Sequence, residues 1–248
     1  MYLPRKGTCM TGRSDLQDHN RLLAALPGSD YALIEPHLKE VPLDVGAVLQ
    51  DPGERIQYVY FPLSGMISLL SVMRDGKAVE TIALGREGAL GGSFGLGSSF
   101  AFARAVVQIG GSAARISATQ FQAVLRESER LREVMARYEE ARFLQTQQAA
   151  ACNALHGAEA RLSRWLLQTC DIIGGGVVPL TQEHLSQMLG VRRTTVTAIA
   201  RELQRAGFIH YTRGRIEIPD REKLRKFACE CYDVLRSQAS VAASRSKR

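Results

Sequence analysis

The sequence predicts an α+β protein in which a β-sandwich or β-barrel is followed by a long helix and a C-terminal helix-turn-helix. Three observations support this architecture. Short segments of alternating polarity, separated by turn residues, fill much of the first half of the chain. Residues 128–156 contain no glycine or proline. Two amphipathic segments then flank a short turn at Gly190, and a hairpin centred on Gly214 follows them.

The positive charge of the chain is confined to its last third. The 248 residues carry a net charge of +7; residues 1–156 contain 16 basic and 16 acidic side chains, whereas residues 157–248 contain 16 basic and 9 acidic ones. A concentrated positive field favours a polyanionic partner, either nucleic acid or an anionic membrane surface. The neutral first part indicates a separate task. A content of 45% hydrophobic and 23% charged residues excludes a disordered or fibrous protein.

The apolar runs and the cysteines indicate a compartment. No run approaches the roughly 20 apolar residues that a membrane span needs, and no apolar segment follows Arg5 and Lys6. Five irregularly spaced cysteines suit a reducing environment. We therefore expect a cytoplasmic protein with no secretory signal and no membrane partner.

The N-terminal part is predicted to be mostly strands. Residues 1–14 are polar and basic and are expected to form a flexible tail. A short helix within residues 16–26 follows, with Asp18 or Asn20 as its cap. Strands are then predicted between residues 41 and 116, at Gln57–Phe61, Met66–Val72, Val79–Leu84 and Ala105–Ile109. The glycine-rich segment 85–97 lies between two of them, where bare backbone N–H groups could line a ligand cavity.

One long helix is predicted from Ser128 to His156. Two heptad positions form a stripe along it: one contains Leu131, Tyr138, Gln145 and Cys152, and the other contains Val134, Ala141, Gln148 and Leu155. Such a stripe favours a second helix, and hence a homodimer. The alternative is that this face packs on the β-domain, because the two glutamines weaken the seam. A further helix, Ala158–Asp171, is expected to bury Trp165 in the core.

The segment Leu180–Ile218 carries the most information. Thr181 is a suitable N-cap for a helix Gln182–Leu189 that ends at Gly190. A second helix runs from about Arg193 to Ala206. The apolar positions that would form the buried seam between them are Leu185, Leu189, Val191, Val196 and Ile199. The polar positions left near the outer face are Arg192, Arg193, Thr194, Thr195, Thr197 and Arg201.

These outer side chains have the chemistry of DNA readout. Arginine bonds guanine O6 and N7 in pairs, threonine contacts bases through its hydroxyl or methyl group, and a helix N-terminus suits phosphate. A hairpin wing, Phe208–Tyr211 and Arg215–Ile218, would place Arg213 and Arg215 at phosphate or in the minor groove. The alternative is a basic helix pair that matches the pattern by chance; the cap, the turn glycine and the wing favour a helix-turn-helix.

The run from Leu180 to Val196, LTQEHLSQMLGVRRTTV, together with the Gly214 wing, resembles the C-terminal winged-helix domain of the Crp/Fnr family of bacterial transcription regulators. The resemblance implies a homodimeric regulator that binds a palindromic DNA site and has RNA polymerase as a further partner. It also implies the domain order, namely a tail 1–14, a cyclic-nucleotide-binding-like, jelly-roll-like β-roll sensor domain 15–127, a dimerisation helix 128–156, a winged helix-turn-helix 157–235 and a basic flexible tail 236–248.

The resemblance assigns roles within the DNA-binding segment. In the family an arginine early in the recognition helix reads guanine, and Arg193 matches it. A glutamate usually follows, but here Thr194 does, and a further basic residue corresponds to about Ala198, so the half-site is expected to differ from the family's best-known ones. We expect Arg192 and Arg193 to read bases. Mixed base and phosphate contacts are expected from Thr195, Thr197 and Arg201, and phosphate contacts from Thr181, Gln182, Arg213 and Arg215. Thr194 is a further expected DNA-binding residue.

The family's known cofactors fit this chain poorly. Members that bind cyclic nucleotide carry Gly-Glu and Arg-Ser or Arg-Thr pairs, where this chain has Gly88–Gly91 and Arg104-Ala105. We therefore expect no cyclic nucleotide, and Arg104 with the Gly88–Gly97 loop is the candidate site for an unidentified effector. A cyclic-nucleotide-responsive regulator is the alternative. The oxygen-sensing branch uses clustered N-terminal cysteines, and only Cys9 lies there, so an iron–sulfur cluster is not expected.

Three weaker signals point to other chemistry. Gly91 to Gly95 matches the Gly-x-Ser-x-Gly nucleophile elbow, which would make Ser93 the nucleophile of a hydrolase with an accessory nucleic-acid domain. Glycines and serines follow it instead of a helix, so we expect no catalytic residue and no enzyme. Cys229 and Cys231 have no partners at zinc-finger spacing, and we expect thiols without a metal. His156 is expected to lie at the end of the long helix as a capping residue.

Overall fold

A computed structural model describes residues 16–244 of the chain, with the side chains of residues 95, 96 and 238–244 excepted. The predicted N-terminal tail 1–14 and Cys9 lie outside the described residues, as do residues 245–248. In the part of the chain described, no helix is both long and apolar enough to cross a membrane.

Short helices and then strands form the described part of the N-terminal domain. The helices are α1 (Leu16–His19), α2 (Arg21–Ala24) and α3 (Gly28–Ile34), and a 3-10 turn, Glu35–His37, follows them. The strands are β1 (Lys39–Leu43), β2 (Val48–Gln50), β3 (Tyr58–Pro62), β4 (Met66–Val72), β5 (Ala78–Leu84), β6 (Arg104–Ile109) and β7 (Gly111–Ser117). The four strands named from the sequence are confirmed, each within one residue of its predicted bounds.

The strands form two antiparallel sheets around one core. Their orders are β1-β7-β3 and β2-β6-β4-β5. Fully buried Phe61 and Ile116 from the first sheet pack in the same cluster as Ile67 and Leu84 from the second. This arrangement confirms the predicted β-roll. The sequence did not single out β1, which contains Pro42, and proline is tolerated there because β1 is an edge strand.

Asn20 caps the second helix and ties it to the β-roll. Its side-chain oxygen accepts from the N–H groups of Leu22 and Leu23, and its amide donates to the carbonyls of Pro62 and Gly88, both at 3.0 Å. The residue is completely buried. The predicted single helix over residues 16–26 is thus divided at Asn20, because the cap residue is extended and begins a new helix there.

The long helix packs its predicted seam against its own chain. After α4 (Ala118–Glu127), the helix α5 runs over Glu129–Leu155 with Ser128 as N-cap. Leu131, Val134 and Tyr138 are buried against the β-roll. In the N-terminal half of α5, the stripe that predicted a dimer therefore packs on the β-roll of its own chain. This is the alternative that the sequence analysis left open. A heptad pattern shows that a face needs covering, but it does not show which element covers it.

The opposite face of α5 remains exposed and contains small and apolar residues. Phe143 is 63% exposed and Leu155 is 80% exposed. The exposed side, here called the outer face of α5, comprises Ala136, Glu140, Phe143, Leu144, Gln147, Ala150, Ala151, Ala154 and Leu155. Positions 136, 140, 143, 147, 150 and 154 alternate in steps of four and three, which is the spacing of a coiled-coil seam.

Five helices and three short strands follow α5 in the described part of the chain. A short strand separates the first two helices: α6 (Ala158–Ile173), β8 (Val177–Val178) and α7 (Gln182–Leu189). The remainder is α8 (Arg193–Arg205), β9 (His210–Thr212), β10 (Arg215–Glu217), α9 (Arg221–Arg225) and α10 (Cys231–Ser244), and the strand order is β8-β10-β9. α10 continues through residues 236–244, which the sequence assigned to a tail. β8 adds a third strand to the predicted wing.

A buried contact joins the β-roll to the C-terminal domain. Met66 and Leu70 of β4 pack in one cluster with Trp165, which is 3% exposed, so the prediction that this tryptophan lies in the core is confirmed. The indole N–H of Trp165 donates to Glu80 Oε1 at 2.6 Å, and the Ser68 hydroxyl donates to Glu80 Oε2 at 2.5 Å. The carboxylate of Glu80 therefore accepts one hydrogen bond from the β-roll and one from the C-terminal domain.

Replacing Glu80 by glutamine should make the stability of the protein less sensitive to rising pH. Burial raises the pKa of Glu80, although the hydrogen bonds from Ser68 and Trp165 oppose that shift. Because the folded state then holds the proton more tightly than the unfolded state, protonation of Glu80 contributes to the free energy of unfolding. This contribution is fully present below the ordinary pKa of about 4.5 and is lost as the pH rises through the raised pKa of the folded state. The Glu80→Gln variant has no proton to lose at this position, so it lacks this dependence.

Urea unfolding at several pH values between about 5 and 8 tests this expectation. The free energy of unfolding of Glu80→Gln, relative to that of the unmodified protein, should increase with pH. Glu40→Gln, which changes an exposed carboxylate, is the matched control and should show no such trend. A difference for Glu80→Gln that stays constant with pH would contradict the raised pKa.

Candidate nucleic-acid interface

The two helices α7 and α8 are joined by the tight turn that the sequence predicts. The Thr181 hydroxyl accepts from the N–H of His184 at 3.3 Å and caps α7. Gly190 ends α7 with a φ of +63°, and its N–H donates to the carbonyls of Ser186 and Gln187. A residue with a side chain adopts this left-handed conformation with strain, which explains glycine at the turn.

The predicted seam between the helices is buried. Leu185, Leu189, Val196 and Ile199 are each less than 9% exposed, and Val191 in the turn is partly buried. Met188, Ala200 and Leu203 add to the same cluster. With this side of α8 fixed in the core, its other side must face outward.

The N-terminal end of α8 is exposed and cationic. Arg192, Arg193 and Thr194 are all exposed, and Arg201 lies two turns further along, also exposed. No side chain among residues 16–244 caps the first turn of α8. Its free N–H groups and the positive end of the helix dipole are therefore available to an anion such as phosphate.

Other predicted contact residues hold the two helices together. The Thr197 hydroxyl lies 2.7 Å from Gln182 Oε1 and 2.9 Å from the carbonyl oxygen of Arg193. Thr195, Thr197 and Gln182 are half-buried. The bond between Thr197 and Gln182 joins α7 to α8 at the turn, so these two side chains position the helix as well as bordering its outer surface.

The wing lies beside the start of α7. Gly214 turns the hairpin between β9 and β10 with a φ of +73°, and Arg213 and Arg215 on either side of it are exposed. A Cβ placed on Gly214 would lie 4.0 Å from Thr181 Cγ2. The capped end of α7, the first turn of α8 and the wing tip thus border one basic surface.

The carboxylate of Glu183 faces this surface and forms a weak ion pair with Arg193. Arg193 Nη1 lies 3.9 Å from Glu183 Oε2, and the two side chains are 68% and 71% exposed. Exposed ion pairs contribute about 0–1 kcal/mol. Arg193 can therefore leave Glu183 for a base or phosphate at little cost. Sequence reasoning did not identify Glu183 as its neighbour.

The glycine-rich loop of the β-roll is covered by α5. A Cβ on Gly88 would lie 2.5 Å from Tyr138 Oη, and one on Gly92 would lie 2.3 Å from Met135 Cε. Tyr138 also donates to the carbonyl of Ala89 at 3.0 Å. At Gly88 the phenol of Tyr138 is held by its bond to Ala89, so glycine permits the close approach of the helix; at Gly92 the flexible end of Met135 would have to move to admit a side chain.

Two other residues were singled out from the sequence near this loop, Arg104 in β6 and Ser93 within the loop, and they lie in different surroundings. Arg104 forms an ion pair with Asp51 on a part-exposed edge of the β-roll. Its role as an effector anchor stays a prediction. Ser93 lies in a 3-10 turn, Gly92–Leu96, and not between a strand and an α-helix as a nucleophile elbow requires.

A cleft of about 170 Å³ lies where the β-roll meets the C-terminal domain. Thr81 and Ile82 of β5 line one side, and Arg164 and Gln168 of α6 line another. The contact between Glu80 and Trp165 lies at its wall. No sequence signal indicated this cleft, because its two sides lie far apart in the chain.

Folding also brings together four side chains that spacing did not connect. Cys152 and His156, at the end of α5, lie beside Cys229 and Cys231, and their ligand-type atoms are all within 4.8 Å of one another. Cys229 and Cys231 lack partners at zinc-finger spacing, but they have two partners in space. An i, i+4 pair of Cys and His on the long helix was the available sequence signal.

Comparison with known proteins identifies the C-terminal domain. Residues 160–227 match the family model of the Crp-like helix-turn-helix domain. This range contains α7, α8 and the wing. Residues 160–227 are a Crp-like helix-turn-helix domain. The resemblance drawn from the motif at residues 180–196 is thereby confirmed for this DNA-binding domain. No curated protein matches the sequence.

Several solved structures share the fold of this chain. FixK2 from Bradyrhizobium japonicum has a TM-score of 0.68 at 14% identity, covering 77% of this chain and 98% of its own. The c-di-GMP-responsive global regulator CLP of Xanthomonas campestris has a TM-score of 0.65 at 15% identity, covering 77% and 99%. A crp/fnr-family regulator from Eubacterium rectale has a TM-score of 0.66 at 18% identity, covering 85% and 98%.

Proposed function

We propose that this protein is a Crp/Fnr-type transcription regulator that binds a palindromic DNA site as a homodimer, with the N-terminal end of α8 in the major groove. The observation that carries the proposal is the exposed, uncapped and cationic first turn of α8. Arg192 and Arg193 are the base readers. Two copies related by a two-fold axis require half-sites about one helical turn apart, roughly 34–36 Å.

The outer face of α5 is the proposed dimer seam. It contains exposed Phe143 and Leu144 with small residues between them, at the four-and-three spacing of a coiled coil. The buried face of the same helix already contacts its own β-roll. A second copy of α5 is the occupant that matches both the spacing and the two-fold symmetry of a palindromic site.

Replacing Arg215 by alanine should weaken binding to all DNA sequences by a similar factor. Arg215 is exposed at the wing tip, where a guanidinium contacts phosphate and carries no sequence information. The slope of log K against log salt concentration is negative, and each lost phosphate contact reduces its magnitude by about 1. Titration of specific and random duplexes across several salt concentrations measures both effects.

The control for Arg215→Ala is Arg74→Ala, which removes an equal charge from an exposed turn of the β-roll. It should leave the salt slope unchanged. If Arg215→Ala instead lost affinity for the specific site alone, the wing would read sequence and its assignment as a phosphate contact would be wrong. The specific site itself is obtained by selection from random DNA, followed by footprinting.

The β-roll is the proposed sensor domain, and its effector is unidentified. It lies against the DNA-binding domain through Glu80 and Trp165, so a ligand that moves β5 would move α6. A cyclic nucleotide is the alternative effector. Calorimetry with cyclic AMP and cyclic GMP distinguishes the two, since the absence of heat at millimolar nucleotide would exclude the alternative.

A further inference from the structure

The cluster of Cys152, His156, Cys229 and Cys231, here called the thiol–imidazole cluster, is separate from the DNA-binding surface. All three cysteines are buried, and His156 is half-buried. Cys152 Sγ lies 3.5 Å from Cys229 Sγ, and Cys231 Sγ lies 3.6 Å from His156 Nδ1. A disulfide requires about 2.05 Å between sulfurs, so none of these thiols is bonded to another.

These separations are close to the edges of a tetrahedral zinc site. With Zn–S bonds of about 2.3 Å and a Zn–N bond of about 2.0–2.1 Å, neighbouring ligands are about 3.8 Å apart for two sulfurs and about 3.6 Å apart for sulfur and nitrogen. The two measured distances fall near these values. Three sulfurs and one imidazole nitrogen form a complete donor set for a closed structural site.

The surroundings of the cluster supply the outer hydrogen bonds of a metal site. His156 Nε2 lies 3.2 Å from Glu230 Oε2 while Nδ1 faces the thiols. A metal-bound histidine commonly donates its second N–H to a carboxylate, which orients the ring. The amide of Gln148 donates to Cys231 Sγ at 3.0 Å, as it would to a thiolate.

Buried positive charge lies next to the cluster. Arg161 is 9% exposed, and its guanidinium donates to the backbone carbonyls of Asn153 and Leu189. Three thiolates around one divalent cation leave one excess negative charge, which a buried guanidinium would balance. Its bond to Leu189 reaches the end of α7.

We propose that Cys152, His156, Cys229 and Cys231 bind one Zn²⁺ ion, which fastens the start of α10 to the end of α5. Zinc displaces the thiol protons, and the four protein ligands complete its coordination without a reaction at the metal. Because Arg161 connects the site to α7, the metal also stabilises the position of the helix-turn-helix. This proposal does not depend on the proposed DNA site.

The experiment measures zinc in the full-length protein, freed of any affinity tag and kept reduced. Elemental analysis should find one zinc per chain, and chelation followed by titration with zinc alone should restore it. Co²⁺ in place of zinc should give the absorption of a tetrahedral thiolate-ligated ion. Glu230→Gln, which changes an exposed side chain next to His156, should lower zinc affinity about 10- to 100-fold without affecting the fold.

Cysteine variants separate the cluster from other thiols. Cys152→Ser and Cys229→Ser should each lose stoichiometric zinc, whereas Cys170→Ser, which changes a buried cysteine outside the cluster, should keep it. A reduced wild-type protein that binds no zinc in the titration would overturn the proposal. The proposal would also be overturned if Glu230→Gln and Cys229→Ser both bound zinc with wild-type affinity. Neither result would test the DNA-binding proposal.

Discussion

Arg193→Ala should bind the cognate palindrome more weakly by about 1–3 kcal/mol per half-site, which is roughly 5- to 150-fold, while its affinity for random DNA changes far less. The guanidinium of Arg193 is exposed at the first turn of α8, and its pairing with Glu183 at 3.9 Å is easily exchanged. A bidentate contact to guanine is lost with the side chain, and discrimination at that base pair is lost with it. Fluorescence anisotropy on cognate, single-mismatch and random duplexes measures the change.

Two comparisons make this result specific. Arg74→Ala removes one positive charge from the β-roll and should change neither affinity nor preference. Arg193→Lys keeps the charge but not the planar fork, so it should retain random-DNA binding and lose most of the preference. Equal losses on cognate and random DNA for Arg193→Ala would show that the residue contacts phosphate and that another side chain reads the base.

Phe143→Glu should convert the proposed dimer into a monomer and reduce binding to the proposed palindromic site at least about 100-fold. Phe143 is 63% exposed at the centre of the outer face of α5. Two glutamates meeting at the two-fold axis would repel each other and would be desolvated, and both effects oppose association. A monomer contacts one half-site at a time and loses the gain that comes from linking two contacts.

Sedimentation and light scattering report the oligomeric state, and a footprint reports occupancy of the two half-sites. Phe102→Glu is the matched control, because Phe102 is 82% exposed on the β-roll and is not part of α5. It should remain dimeric and bind DNA normally. A dimer that persists in Phe143→Glu at low micromolar concentration would place the interface on another surface.

Several local features could be predicted from the sequence because their causes are local. Met66–Val72 is a strand with the predicted bounds, since Pro62 to Gly65 before it and Asp75-Gly76 after it force turns. Thr181, Gly190 and Gly214 act at the predicted cap, helix end and wing turn. Each depends on the backbone preference or the hydrogen bonding of one or two neighbouring residues.

Other features depended on which surfaces meet, and periodicity does not contain that information. The stripe of Leu131, Val134 and Tyr138 was predicted to face a partner helix, but it covers the β-roll. The glycine-rich segment 85–97 was interpreted as the lining of a ligand cavity; that role stays a prediction, and the tertiary structure adds that Gly88 lies against Tyr138 of α5. In both cases the pattern shows a face or a gap that must be filled, and the tertiary structure selects what fills it.

The sequence by itself determined the fold class, the helix-turn-helix with its wing and the exposed basic residues Arg192 and Arg193, because caps, turn glycines, periodicity and charge act over short distances along the chain. The tertiary structure alone decided that Glu80 bonds Trp165 and that Cys152 and His156 meet Cys229 and Cys231. These groups lie far apart in the chain, and their approach depends on the packing of whole helices and sheets, which no local pattern encodes.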